Sequence, residues 1–371
     1  MKRCSLILFV SFCGLITLSA LAHSNEFTYP GETWESANPQ ELGWSVQKLE
    51  DARQYFHTVP AGSVVVVDRG RVVAEWGDSA RRVKTSSVRK SFLSALYGIY
   101  IPEAHLDIGK TLAQLGIDDD PPLTPAERQA TLRMVLQARS GVYRPFVGGT
   151  PAMRAEMPAP GSHPPGTFWY YNNWDFNVLA TIFEQQFKTG IGPAFRDRIA
   201  KPIRMQDFRL EDFYYVRAST EKGAEKTSIH PAYHFRMSAR DMARFGYLFL
   251  RQGRWQDTQV IPAGWVKEST TSYSDAGKGV GYGYLWWVNF WPGVSVGNYS
   301  ARGTLGKNIV VLPDKDLVVV YLNYTDYPDD AAAVPEAELK RLPNMTSAQM
   351  GRLLQLVLEA KGPWQGARYD I

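Results

Sequence analysis

The chain has 371 residues, 44% hydrophobic and 13% aromatic, with a formal net charge of +4. That length and composition belong to an ordinary globular protein able to bury a large core in one large or two intimate domains. Lys2 and Arg3 carry two of the positive charges, the rest is nearly balanced, and no basic stripe marks a nucleic-acid surface.

Behind Lys2 and Arg3 comes an apolar run over residues 5–21 that ends in Ser19-Ala20-Leu21-Ala22. A positive start, an apolar middle and a small-x-small end read as a signal peptide cleaved after Ala22, rather than a retained anchor. The mature protein is therefore expected outside the cytoplasm, periplasmic or secreted, with no stable membrane span. Both cysteines, Cys4 and Cys13, lie in this segment, and Phe12 before Cys13 is a poor fit to lipoprotein processing. The mature chain then has no disulfide, thiol nucleophile or thiolate metal site.

Residues 41–56 read as an amphipathic helix, and 61–67 and 72–76 as strands joined by the turn Asp68-Arg69-Gly70-Arg71. A helix starting near Ser86 is apolar or small on every face over residues 91–99, which predicts burial all round. Helical stretches at 125–137 and 177–187 then alternate with loops, and the loop 150–167 is expected to lie over a site. Strands return at 308–312 and 317–324 around Pro313-Asp314-Lys315-Asp316, and a helix over 346–360 closes the chain. The order predicts an α+β fold, mainly an antiparallel sheet flanked by helices. Residues 23–98 and 245–371 would form the sheet region, and 99–244 an inserted helical region with site-covering loops. No internal repeat is present.

Ser-x-x-Lys occurs at Ser45–Lys48, Ser87–Lys90 and Ser219–Lys222. Ser45 opens an exposed helix and reads as an N-cap. Ser219 lies in a polar run. Ser87 alone opens a buried helix, where residues three apart share a face. Burial strips solvation from Lys90 and makes its neutral form accessible, as does the positive helix N-terminus. A neutral amine beside a hydroxyl can take its proton and activate it as a nucleophile. A second cluster, Pro165 to Trp174, sets a Tyr-x-Asn before an apolar segment; a phenol near a lysine can relay protons, and an amide can bind a carbonyl. A third, Ala301-Arg302-Gly303-Thr304-Leu305-Gly306-Lys307, precedes the last hairpin and could bring a backbone N–H to an oxyanion.

In this order and spacing, the three clusters resemble the serine β-lactamase and penicillin-binding protein superfamily, most closely its class C-like branch of esterases, D-amino-acid peptidases and 6-aminohexanoate-oligomer hydrolases. The segment Thr131 to Gly141 is similar to that branch's "LLxHxSG" stretch. The resemblance covers most of the mature chain and implies a β-lactamase/transpeptidase-like fold. It implies Ser87 as nucleophile, Lys90 as base, Tyr171 and Asn173 as the Tyr-x-Asn, and Thr304, after Gly303, as an oxyanion donor. Tyr170-Tyr171-Asn172 is a competing register; the first is preferred because Phe176 and Leu179 then fall where the family has an aromatic and a leucine. The chain departs from the family in lacking the Lys or His that often opens the third motif. That weakens an expectation of β-lactam turnover more than one of hydrolysis, and Arg302 could substitute.

The expected function is hydrolysis of a small ester or amide, with a linear amide included, through an acyl-enzyme. A β-lactamase or D-Ala-D-Ala carboxypeptidase is the alternative within the class, and a non-catalytic penicillin-recognising sensor the alternative outside it. Gly293-Val294-Ser295-Val296-Gly297 matches an α/β-hydrolase elbow, but no helix follows and His234 is the last histidine. His230 and His234 read as packing or hydrogen-bonding residues, with His234 a candidate for the site wall, and Asp118-Asp119-Asp120 as a solvated loop. Trp169, Tyr170, Trp174, Trp286 and Trp287 suit either an apolar ligand or the core. No metal or organic cofactor and no nucleic-acid partner is implied, and oligomeric state is not legible.

Overall fold

The computed structural model describes residues 27–218, 227–291, 294, 297–329 and 334–361. The signal segment, the Ser219–Lys222 copy of Ser-x-x-Lys and Ser295 lie outside the described residues.

A 3-10 turn at Pro39–Leu42 ends on Gly43 at φ 80°, so the helix expected from residue 41 starts only at α1 (Val46–Phe56). The Ser45 hydroxyl accepts from Lys48 N–H there, as an N-cap should. β1 (Ser63–Asp68) and β2 (Arg71–Gly77) form a hairpin through Arg69 and Gly70, both at positive φ, a twist that matches the strands. β3 (Val83–Lys84) passes through a turn at Ser86–Val88 into α2 (Arg89–Ala104), whose residues 89–99 are all buried. The helix expected over 125–137 is broken, because Ala130 C=O accepts from Leu112 N–H at 2.8 Å and holds the chain extended. Only a 3-10 turn at Glu127–Gln129 and α3 (Leu132–Leu136) remain helical.

The loop expected over 150–167 contains one short helix, α4 (Pro151–Ala155). α5 (Asn173–Phe187) starts earlier than its apolar pattern, since the Asn172 side chain accepts from Trp174 N–H and caps it. After α6 (Ile191–Phe195) come β4 (Phe213–Val216) and β5 (Ala232–Met237), which join β3 in a small antiparallel sheet. The middle of the chain is thus not purely helical; both strands pair over distances that local pattern does not reveal. α7 (Ala239–Leu250) precedes the minor hairpin β6 (Arg254–Trp255) and β7 (Thr258–Gln259), then α8 (Ala263–Ser269). The short strands β8 (Ser274–Asp275), β9 (Gly281–Tyr282) and β10 (Trp287–Val288) follow. Longer strands complete the set: β11 (Tyr299–Gly303), β12 (Lys307–Leu312) and β13 (Leu317–Leu322). The described chain ends with α9 (Glu336–Leu339) and α10 (Ser347–Ala360), the latter in a Thr346–Gln349 capping box.

The main sheet is antiparallel, in the order β2-β1-β13-β12-β11-β10-β9-β8. The first hairpin therefore closes on the last, with Ser63 opposite Leu322 and Asp68 opposite Leu317. Alternation assigns the two faces. Val65, Val67, Ile309, Val311, Val318 and Val320 pack with α2 and α7. Val64, Val66, Val310, Val319 and Tyr321 pack with α1 and α10. Burial on both faces explains why β1, β12 and β13 are continuous apolar runs. Each buried valine contributes about 1.5–3 kcal/mol relative to exposure. Where the helical side meets the sheet, at the β11 edge and the start of α2, the three sequence clusters converge.

Candidate active site

Ser86 adopts φ 51°, a left-handed conformation unusual for serine, and this turns the chain sharply from β3 into α2. Ser87 is left half-buried while its neighbours from Val83 to Lys90 are buried. Gly303 at the end of β11 packs on the same turn. A Cβ there would lie 2.5 Å from Thr85 O and 3.2 Å from Ser86 Cβ, so only glycine lets the strand edge come this close.

Lys90 is 1% exposed. Its Nζ lies 2.8 Å from Ser87 Oγ and 2.8 Å from Tyr171 OH, and 4.3 Å from the ring centroids of both Tyr171 and Phe176. Burial, with the neighbouring Arg89 charge, holds its ammonium pKa well below the usual lysine range. Burial pushes the Tyr171 phenol up, against the opposing pull of its Ser87 contact and of Arg89 and Arg302. The two groups are thus set apart: an amine that readily becomes neutral and a phenol that keeps its proton.

The side chains of the two candidate Tyr-x-Asn registers go different ways. Tyr170 OH donates to Met153 C=O, away from Ser87. Asn172 is committed to structure: it caps α5 and its Nδ2 donates to Val142 O at 2.7 Å and Asp175 Oδ1 at 2.9 Å. Tyr171 reaches Lys90, and Asn173 lines the Ser87 cleft with a buried Oδ1 that lacks a partner. The Thr131–Gly141 stretch braces this arrangement, since Ser140 bonds to Asp175 and Ala138 C=O accepts from Tyr170 N–H at 3.1 Å.

Thr304 lines the cleft with Ser87. Arg302 does not. Its guanidinium sits 3.1 Å from the Phe290 ring centroid, with Nε donating to Asn308 Oδ1 at 3.2 Å and Nη2 to Ser347 Oγ at 3.0 Å. The substitute anchor anticipated for Arg302 is therefore not in the cleft. Lys307 is buried behind Thr304, with Nζ donating to Thr325 O at 2.6 Å.

His234 lines the cleft, while His230 packs edge-on against Trp174 with its Nδ1 3.0 Å from Thr181 Oγ1. Asp119 is not solvated: it is buried and accepts from Trp174 Nε1 at 2.7 Å, which ties this loop to α5. Trp174 and Trp286 belong to the core, whereas half-buried Trp169 and Trp287 surround Tyr171, with Trp287 at 5.2 Å between centroids. Among the described residues, no cluster of His, Cys, Asp or Glu could hold a metal, and no helix is long and apolar enough to cross a membrane.

Sequence reasoning missed Lys84, Arg89 and Asp329, all lining the cleft. One signal for Arg89 was available: like Lys90, it is a charged residue at the head of a helix that is apolar or small on every face over residues 91–99.

This fold, with a serine and lysine at the head of the first long buried helix and a tyrosine facing them, is the β-lactamase/transpeptidase fold. A β-lactamase family model matches residues 24–342, and the chain belongs to that family. No curated protein sequence matches it. Among solved structures, one described as a 6-aminohexanoate-dimer hydrolase from Bacillus anthracis has a TM-score of 0.61 at 20% identity, over 89% of this chain and 90% of that one. EstCE1, described as a hydrolase with promiscuous acyltransferase activity, has a TM-score of 0.58 at 15% identity, over 87% and 98%. A penicillin-binding protein homologue from Caulobacter crescentus has a TM-score of 0.56 at 16% identity, over 76% and 93%. At these identities the likeness speaks to fold.

Proposed function

We propose that this protein is an exported serine hydrolase that cleaves a small ester or amide, with linear amides included, through an acyl-enzyme on Ser87. The observation that carries the reading is Lys90 Nζ, buried and 2.8 Å from both Ser87 Oγ and Tyr171 OH. As Ser87 Oγ bonds to the substrate carbonyl carbon, its proton passes to neutral Lys90, and the C=O electron pair moves onto oxygen. The N–H of Ser87, in the first turn of a helix, and that of Thr304 are the donors for that oxygen. Collapse breaks the bond to the leaving group, which takes a proton through Tyr171, resupplied from Lys90. Water then attacks the acyl carbon, Lys90 takes its proton, and Ser87 leaves protonated. Asn173, with a free buried Oδ1, is placed to bind the substrate's amide or carbonyl side. Export rests on residues 1–22.

A linear substrate is favoured over a β-lactam because a carboxylate cannot be held at the third-motif position, where Arg302 is engaged with Asn308, Ser347 and Phe290 rather than facing the cleft. Labelling with a fluorophosphonate, read by intact mass and peptide mapping beside Ser87→Ala, tests the reading. A single adduct on Ser87, absent from the variant, is expected. An adduct on Ser295 or unchanged labelling of Ser87→Ala would refute it.

A further inference from the structure

The wall of the Ser87 cleft carries more positive charge than it neutralises. Lys84 Nζ, on a side chain 5% exposed, is paired with the Asp329 carboxylate and donates to Tyr327 O at 2.8 Å. Tyr214 OH lies 3.3 Å from both Asp329 oxygens, and His234 Nε2 lies 3.6 Å from one. Arg89, two residues from the nucleophile, is 3% exposed and lies over the Tyr233 ring at 4.9 Å. Its Nε has no partner, and its Nη1 reaches only Ser86 O at 3.5 Å. A guanidinium keeps its charge in proteins, so a buried one without a carboxylate is costly unless an anion comes to it. The nearby Asp326 is already used, by Arg236 at 2.6 Å and by Lys84 N–H at 3.1 Å. Lys84 and Arg89 thus face one carboxylate, that of Asp329.

That carboxylate also lines the cleft beside Ser87, which is open to solvent and has about 40 Å³ of free volume, room for a few waters. Asp329 itself is 39% exposed on its side chain, so it can swing out to water, whereas Lys84 and Arg89 cannot follow it.

We propose that Lys84, Tyr214 and His234, with Arg89 beside them, form a carboxylate subsite next to Ser87, which Asp329 occupies in the free protein and which a carboxylate on the substrate takes over. The exchange replaces one carboxylate with another, so it avoids stranding buried cations. This rests on the hydrolase reading above and narrows it to substrates that carry a carboxylate near the scissile carbonyl. The site differs in place from the third sequence cluster, whose Arg302 is engaged elsewhere.

The test compares mono-4-nitrophenyl glutarate with neutral 4-nitrophenyl valerate on wild type, Arg89→Gln, Tyr214→Phe and Asp329→Asn. The readout is the ratio of kcat/KM for the anionic over the neutral ester within each protein, which cancels effects on Ser87 and Lys90 themselves. The wild-type ratio should exceed one by about ten- to a hundredfold, the worth of a charge-assisted hydrogen bond. It should fall toward one in Arg89→Gln and drop in Tyr214→Phe, which removes one hydroxyl and keeps the test open if Arg89→Gln does not fold. It should rise in Asp329→Asn, where the competitor is neutral. A wild-type ratio of one or below, or a ratio common to all four proteins, would overturn the subsite. If neither ester is cleaved, the hydrolase reading fails separately, and calorimetric titration with glutarate decides the subsite alone. Binding to Asp329→Asn tighter than to wild type, and lost with Tyr214→Phe added, supports it; no glutarate binding to Asp329→Asn overturns it.

Discussion

Replacing Lys90 with methionine keeps most of the side-chain volume and removes the amine, with opposite consequences for activity and stability. Lys90 Nζ contacts Ser87 Oγ and Tyr171 OH, each at 2.8 Å, so under the proposed mechanism the variant loses the base and the link to the phenol together. General-base assistance is typically worth about 10²–10⁴ in rate, which is about 3–5 kcal/mol at 1.36 kcal/mol per decade. Because the two groups act as a unit, Lys90→Met should approach the floor set by Ser87→Ala. For stability, two hydrogen bonds are lost, each worth about 1 kcal/mol. Against that, the cost of burying an ammonium is relieved. The folded protein releases the Lys90 proton well below 10.5, while the unfolded chain holds it up to about that pH. Between those two pH values the unfolded state carries the extra proton, so wild-type stability rises with pH there. The stability of Lys90→Met relative to wild type should therefore be greatest at neutral pH and below, decline as pH rises toward 10.5, and level off above it. Ester turnover at saturating substrate and urea unfolding across pH 7 to 10.5 measure both. Turnover within about tenfold of wild type, or a relative stability flat across that window, would refute the account of Lys90 as a buried, readily neutral base.

The register of the tyrosine motif predicts that Tyr171→Phe lowers kcat by about 10²-fold or more, whereas Tyr170→Phe, which loses only a bond to Met153 C=O, leaves kcat within about threefold; steady-state kinetics on one ester separate them. Asp175 is fully buried, and burial pushes its carboxyl up to about 8 despite bonds from Ser140 and Asn172. The folded state then holds a proton that the unfolded chain, with an ordinary value of 3.8, has released, so this group makes stability fall as pH rises from about 4 to about 8. Asp175→Asn should flatten that decline in urea unfolding, and a decline of unchanged slope would count against it. On the other face of the sheet, Lys361 Nζ lies 2.7 Å from the fully buried Asp68, whose other oxygen accepts from Trp44 Nε1 at 2.7 Å. Lys361→Met leaves that carboxylate with Trp44 and the half-exposed Arg69, whose Nε is 3.4 Å from Oδ1, and should cost about 1–3 kcal/mol. Asp68→Asn added to it should recover most of the loss, read as the denaturation midpoint.

Apolar pattern and turn chemistry made much of the fold legible in the sequence. The runs of valine in β1, β12 and β13, Gly70 in the first hairpin, and the apolar or small stretch 91–99 of α2 each point locally to the element they form. Errors fell where a distant partner overrides a local preference. Leu112 N–H pulls Ala130 out of a helix, and β4 and β5 pair across segments with no shared pattern; the early start of α5 is instead a local effect of its Asn172 cap. At the site, Ser87 and Lys90 share a helix turn, so their meeting follows from spacing. Tyr171 is 81 residues from Lys90, and which tyrosine of the pair arrives depends on how the chain enters α5.

The sequence by itself determined the α+β class, the three clusters, and the pairing of a serine with a lysine on one buried turn. These depend on periods of two and 3.6 residues and on contacts three residues apart, and the chain carries those locally. Only the tertiary structure decided that Arg302 leaves the cleft, that Asp119 is buried, and that Lys84, Arg89, His234 and Asp329 gather beside Ser87. Each of those outcomes is a balance of desolvation against pairing between groups far apart in the chain, and it exists only once packing has removed the water.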